Sequence, residues 1–187
     1  MAEFRPGTPD QRELLRELVS HGLLIETRVP GVYGHGGDFE AVCLAFGELV
    51  TRAGAHDAPE RMSFPPVIPR HDLEEVDYLK SFPHLSGSIF GFAGAEQDAI
   101  EQQRRASLHE DWSEFQSMTD LVLTPAACYP VYPAIASRGR LPAGGVTVDA
   151  GGAYVFRNEP SGDPARLQMF RQRDIGRIGD PETVEAW

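Results

Sequence analysis

Leu14, Leu15, Leu18 and Val19 recur at the spacing of one face of an amphipathic helix. Thr8-Pro9-Asp10-Gln11 starts that helix: Thr8 can cap it, Pro9 suits the first turn, and Gln11 completes a capping box. Gly22 ends it. Leu23 to Val29 reads as extended. The glycine-rich Gly31-Val-Tyr-Gly-His-Gly-Gly37 reads as a mobile or tightly turned loop, and is no phosphate loop because the Gly-Lys-Ser/Thr ending is missing. A second helix is predicted from Asp38, burying Phe39, Val42, Cys43, Phe46, Leu49 and Val50, with Cys43 a small core residue. Met62 to Ile68 reads as a strand that Pro65 and Pro66 interrupt, hence an edge or a bend. Asp72 to Lys80 predicts a short helix closed by Ser81-Phe-Pro83, and Gly94 to about Gln116 a polar, solvent-exposed one. Asp120 to Thr124 reads as a short strand and Val131 to Ser137 as a helix despite Pro133. The last strands fall at Val146 to Val148, Tyr154 to Glu159 and Leu167 to Asp174. Helices come first and strands cluster late, which predicts an α+β fold with an antiparallel sheet.

At 187 residues the chain reads as one domain, 1–187, with 1–30 a helical lead-in. No apolar run reaches the length of a membrane span, so no membrane partner is expected. The start Met-Ala-Glu-Phe-Arg-Pro lacks the basic and apolar regions of a signal peptide. Two cysteines, Cys43 and Cys128, make no disulfide framework, which predicts a reducing, cytoplasmic setting. The formal net charge of -11 opposes a nucleic-acid backbone.

Tyr154 to Asp174 carries the chemistry. Arg157 and Glu159 share a strand; a Pro/Gly loop follows, then Arg166, and Phe170 four residues later. Two guanidiniums can fork onto phosphate oxygens, a carboxylate can accept from an exocyclic amine, and a phenyl ring can stack on a base. That combination suits a nucleotide. Arg171, Arg173 and Arg177 add positive charge, so that arginines outnumber Glu159, Asp163 and Asp174 around the hairpin. This fits a small anionic ligand better than a long polyanion.

The hairpin resembles the second signature motif of class II aminoacyl-tRNA synthetases. Four segments widen the likeness: Arg61-Met-Ser-Phe-Pro-Pro-Val-Ile-Pro-Arg70, Tyr78-Leu-Lys-Ser-Phe-Pro83, Leu123-Thr-Pro-Ala-Ala-Cys-Tyr-Pro130 and Phe156-Arg-Asn-Glu-Pro-Ser161. From about Gly31 onward the chain resembles the amino acid:[carrier protein] ligases, small homologues of the atypical zinc-dependent seryl-tRNA synthetases without the tRNA-binding domain. The resemblance implies a class II synthetase-like antiparallel sheet with flanking helices. It also implies ATP-dependent activation of a small amino acid (glycine-, alanine- or serine-like) as the adenylate. The acyl group would then pass to the phosphopantetheine thiol of a carrier protein, and no tRNA is expected.

Residue by residue, the resemblance gives Arg157 the catalytic place, on the α-phosphate and the amino-acid carboxyl. Glu159 would recognise the adenine amino group, Arg166 would hold the outer phosphates, and Phe170 would stack under adenine. Mg²⁺ is expected with the triphosphate, without identified ligands. Cys128 aligns with the first zinc ligand. Asp174 stands where the family has a glutamate, with the same charge and one methylene less reach. In the relatives the zinc receives the substrate's α-amino group. His21, His35, His56, His71, His84 and His109 fall in loops or helix termini and are expected to be solvated.

The relatives continue into a third zinc ligand and a Gly-rich third motif; Gly176-Arg-Ile-Gly179 does not match it, so the fold is expected to be incomplete at its C-terminus. Three explanations stay open: a truncated piece, a short homologue completed by a homodimer or a partner subunit, or a catalytically silent paralogue acting in binding or regulation. The first motif, near Phe64 to Arg70, is where these folds dimerise.

Overall fold

The computed structural model describes residues 3–187, so the first two residues of the predicted domain lie outside it. Helix α1 (Pro9–Ser20) begins at the predicted capping box: the Gln11 amide donates to Thr8 Oγ1 at 3.3 Å and Thr8 N–H donates to Gln11 Oε1 at 2.7 Å. Gly22 at φ +67° then turns the chain, a conformation open to glycine at little cost. The Thr8→Ala variant is expected to lose about 1 kcal/mol of stability, read from the urea midpoint, because one donor of the first turn goes unsatisfied. The preceding segment lies on the later hairpin: Arg5 N–H donates to Pro160 O, Gly162 N–H to Arg5 O, and Gln11 Nε2 to Asp163 Oδ2 at 2.8 Å.

Strand β1 (Leu24–Glu26) pairs antiparallel with β2 (Tyr33–His35). The glycine-rich stretch is therefore partly a strand, since its central residues find a partner ladder that single-sequence reading could not supply. Helix α2 (Gly37–Ala53) forms as predicted, but its burial differs. Phe39, Cys43, Gly47 and Val50 make a half-buried stripe, whereas Val42 (70%), Phe46 (64%) and Leu49 (52%) are exposed. The helix is apolar on more than one side, so sequence periodicity alone chose the wrong face.

The proline-interrupted strand resolves into two, β3 (Glu60–Met62) and β4 (Val67–Pro69), which join different sheets. The predicted Asp72–Lys80 helix is likewise two, α3 (Arg70–Glu75) and α4 (Tyr78–Ser81), parted by Asp77 at φ +55°. Strand β5 (Ser88–Phe92) was not foreseen, and the long polar helix contracts to α5 (Glu96–Ser107). Strand β6 (Gln116–Leu123) joins β4 and β5 in one antiparallel sheet. Helix α6 (Val131–Ala136) matches expectation.

The site rests on the second sheet, ordered β3-β7-β8. Strand β7 (Val146–Phe156) unites two predicted strands, and β8 (Met169–Ile178) pairs antiparallel with it, while β3 joins β7 in parallel. The last element is α7 (Pro181–Glu185). The β7–β8 register shifts between Ala150 and Ala153, and Gly152 sits there at φ +74°. The extra residue is a β-bulge that changes the phase of side-chain alternation. Val148 and Ala150 before it, and Ala153 and Val155 after it, thereby share one face. Arg157 follows Val155 in the same alternation. One core cluster, Ala127, Val131, Ile135, Val148 and Ala150, packs α6 and its preceding loop onto this sheet. A second, Ile68, Leu73, Tyr78 and Val122, holds α3 and α4 to the other.

Candidate active site

The loop between β6 and α6, Thr124 to Pro130, lies across the ends of β7 and β8 and is stitched there by backbone polar groups. Phe156 N–H donates to Thr124 O at 2.9 Å, and Arg157 Nε donates to Pro125 O at 3.2 Å. The latter bond fixes the guanidinium at its Nε and leaves its outer nitrogens for a ligand. The same guanidinium stands 5.4 Å from the centroid of the Phe170 ring, a cation–π distance. Tyr78 and Tyr129 meet edge to face beside it, with centroids 5.4 Å apart. Burial raises the pKa of both phenols, and the Arg157 charge works against that rise.

Glu159 and Arg166 face each other across the hairpin loop at 3.1 Å. Their side chains are 25% and 49% exposed, so the pair is worth about 0–1 kcal/mol and opens cheaply to a ligand that offers each group a better partner. The hairpin thus gathers its four predicted side chains as two touching pairs, Arg157 with Phe170 and Glu159 with Arg166.

Arg171, Arg173 and Arg177 do not contribute. The two-residue alternation of β8 turns them to the opposite face, where each is occupied. Arg171 forks onto Glu40 of α2 at 2.6 and 2.8 Å, and Arg173 forks onto Asp149 at 2.7 and 2.5 Å. Arg177 donates to Thr147 Oγ1 and to Gly144 O. Positive charge is therefore not massed at the candidate phosphate site; only Arg157 and Arg166 of the five sit there. The other face holds a groove of about 790 Å³ between α2 and the sheet, lined by Cys43, Phe46, Arg171 and Arg173 among others.

Cys128 and Asp174 meet on the same face as Arg157. The Asp174 charge acts on the thiol, and Tyr132 stands beside both. The three line a cavity of about 70 Å³ together with Val131, Ala150, Gly176 and Arg177, among others. Burial, then the neighbouring Asp174 charge, push the Cys128 thiol above its ordinary range. In chelator-treated protein, iodoacetamide is therefore expected to alkylate Cys128 slowly at neutral pH. Asp174→Asn removes a negative charge, lowers the thiol pKa and speeds the reaction at fixed pH by raising the thiolate fraction. Unchanged alkylation in that variant would detach Cys128 from Asp174.

Thiol and carboxylate are a suitable donor pair for zinc, but a catalytic zinc site takes three protein ligands. Among the described residues no group of three His, Cys, Asp or Glu side chains converges. His35 is no substitute: it lies in β2, half-buried rather than solvated, with its ring 4.6 Å from Phe39 and Nδ1 3.7 Å from Glu40. Sequence reading missed Gln172, whose amide bonds both Asp174 and the Ala127 N–H. Strand alternation between Phe170 and Asp174 was the available signal. The carbonyl of Pro125 carried none.

The chain is similar to two curated proteins of Bradyrhizobium diazoefficiens. It is 40% identical over 186 residues to Amino acid--[acyl-carrier-protein] ligase 2, covering 100% of this chain and 54% of that protein. It is 40% identical over 189 residues to Amino acid--[acyl-carrier-protein] ligase 1, covering 97% and 57%. The chain thus spans about half the length of these relatives. Among solved structures, M. kandleri SerRS in complex with A. aeolicus tRNASec superposes with a TM-score of 0.80 at 17% identity, over 97% of this chain and 36% of the other. Giardia lamblia prolyl-tRNA synthetase in complex with prolyl-adenylate gives 0.59 at 16%, over 88% and 29%. No protein-family model matches the chain. The fold is that of class II tRNA synthetases, and the sequence is homologous to amino acid--[acyl-carrier-protein] ligases.

Proposed function

We propose that the chain forms the nucleotide- and amino-acid-binding part of an ATP-dependent ligase that loads a small amino acid onto a carrier protein. The observation that carries this reading is that the Arg157–Phe170 contact and the Cys128–Asp174 cavity share one face of β7 and β8, while the Glu159–Arg166 pair lies in the loop joining those strands. In the first step an amino-acid carboxylate oxygen attacks the α-phosphorus of ATP, the bond to the β-phosphate oxygen breaks, and pyrophosphate leaves. In the second, the phosphopantetheine sulfur attacks the acyl carbon of the adenylate; AMP leaves and a thioester forms.

Arg157 offsets the charge that gathers between carboxylate and phosphate in the first step, where preorganised electrostatics dominate. Glu159 accepts from the adenine amino group, Arg166 takes the outer phosphates, and Phe170 supports the base. The Glu159–Arg166 bond opens as the nucleotide enters. Mg²⁺ accompanies the triphosphate. The cavity of about 70 Å³ beside Cys128 suits glycine, alanine or serine. Asp174 and Cys128 receive the ammonium end, directly or with zinc, which would supply a Lewis-acid anchor for the amine. Its remaining protein ligand would then come from outside the described residues.

The exposed Val42, Phe46 and Leu49 of α2 support association with a second copy or a partner subunit, since contiguous exposed apolar side chains mark interaction surfaces. The two free cysteines are in keeping with a reducing cytoplasm. Among the described residues no helix is long and apolar enough to cross a membrane.

The test is amino-acid-dependent exchange of labelled pyrophosphate into ATP by the purified protein, with glycine, alanine and serine. Exchange with at least one of them is expected. No exchange, together with no calorimetric heat on adding a non-hydrolysable adenylate analogue, would overturn the reading.

A further inference from the structure

Gln172 lies on β8 between Phe170 and Asp174, and the two-residue repeat turns all three to the candidate site. Its amide bonds two elements that the chain brings together from far apart. Oε1 accepts from the Ala127 N–H at 3.2 Å, and Nε2 donates to Asp174 Oδ1 at 3.3 Å. Ala127 is 1% exposed and immediately precedes Cys128. One side chain therefore joins the loop that carries the thiol to the carboxylate that meets it.

The amide performs two tasks, one with each end. The Ala127 N–H needs an acceptor and the Asp174 carboxylate needs a donor, so the partners also fix which end of the amide faces which. A carboxylate would repel Asp174, and an alkyl chain would leave both partners unmet. The bond to Oδ1 orients the Asp174 carboxylate, which lines the small cavity together with Cys128. Asp174 lacks the reach of a glutamate, so its position depends more on such an anchor.

We propose that Gln172 is the positioning residue of the cation subsite formed by Cys128 and Asp174: it holds loop and carboxylate in one register, so that a substrate ammonium or a metal ion meets them preformed. This rests on reading that pair as the amine end of the amino-acid site. Gln172 acts through Asp174 and Cys128, not by touching substrate.

The experiment is a double-mutant cycle with two readouts. Gln172→Met keeps the length of the side chain and removes both polar ends. It is expected to raise the KM for the amino acid in pyrophosphate exchange about ten- to hundredfold, the usual cost of losing an outer-shell partner. The KM for ATP should stay within about twofold. Co²⁺ titration, followed by the thiolate-to-cobalt absorption band, should weaken by a similar factor and needs no turnover. In an Asp174→Ala background the same change should have little further effect, since Gln172 acts through that carboxylate. Gln172→Asn, which withdraws the amide by one methylene, serves if the methionine variant does not fold.

Unaltered amino-acid KM and unaltered cobalt affinity would overturn the proposal, as would effects that simply add to those of Asp174→Ala. Exchange in the parent protein with an inert Gln172 refutes this inference alone. Cobalt binding that depends on Gln172, in a protein without exchange, sustains the subsite and refutes the ligase reading. A parent protein with neither exchange nor cobalt binding removes both.

Discussion

Arg157→Ala is expected to lower amino-acid-dependent pyrophosphate exchange by a factor on the order of 10³, about 4 kcal/mol of transition-state stabilisation, which is the scale for removing one preorganised charge donor. The guanidinium is held at Nε by the Pro125 carbonyl and sits against Phe170, so its remaining nitrogens do not need to reorganise as charge develops. Arg157→Lys should recover little. A lysine ammonium cannot bond the carbonyl and fork onto a phosphate at once. The adenylate analogue should also bind more weakly to Arg157→Ala, measured by calorimetry, because the charge is shared by ground state and transition state. Undiminished exchange in Arg157→Ala would move the chemistry to another part of the protein.

The second large effect falls on the opposite face of the sheet and on stability. Asp149 is 2% exposed and takes a fork from Arg173, whose remaining contacts reach Gly47 O and Thr51 Oγ1 of α2. Arg173→Met leaves that carboxylate buried with, among the described residues, only Arg61 at 3.6 Å to compensate it. A loss of about 3 kcal/mol in urea unfolding is expected, at the low end for a broken buried pair because Arg61 remains. The double variant Asp149→Leu/Arg173→Met should regain most of the loss, since neither charge is then stranded. Equal instability of the single and double variants would mean that packing against α2, not charge, sets the cost.

How much of this was legible in the sequence follows from which features are local. The capping box at Thr8 and Gln11 depends on neighbours in the chain, and the structure repeats it. The ordered set Arg157, Glu159, Arg166 and Phe170 was visible for the same reason, because one hairpin carries it. Cys128 and Asp174 were paired through family resemblance, not through spacing, and in the structure both line one small cavity. What escaped was set by partners far along the chain. β2 needed β1 to become a strand. The outward face of α2 could not be told from its inward face, because both are apolar. Arg171 and Arg173 were assigned to phosphate by proximity in sequence, although strand alternation sends them to Glu40 and Asp149. Gln172 looked unremarkable as a residue type, and only its two partners, Ala127 and Asp174, give it meaning.

The irregularity at Gly151 and Gly152 lets β7 carry one residue more than the strand it pairs with, the two glycines together lying opposite Arg173. Straightening the strand without shortening it would turn everything beyond Ala150 by half a turn, presenting Tyr154 and Phe156 inward and sending Arg157 to the back of the sheet. Removing one of the two glycines straightens it as well, yet leaves Ala153, Val155 and Arg157 on the side of Val148 and Ala150. The strand thus withstands the loss of a residue there better than the loss of its kink.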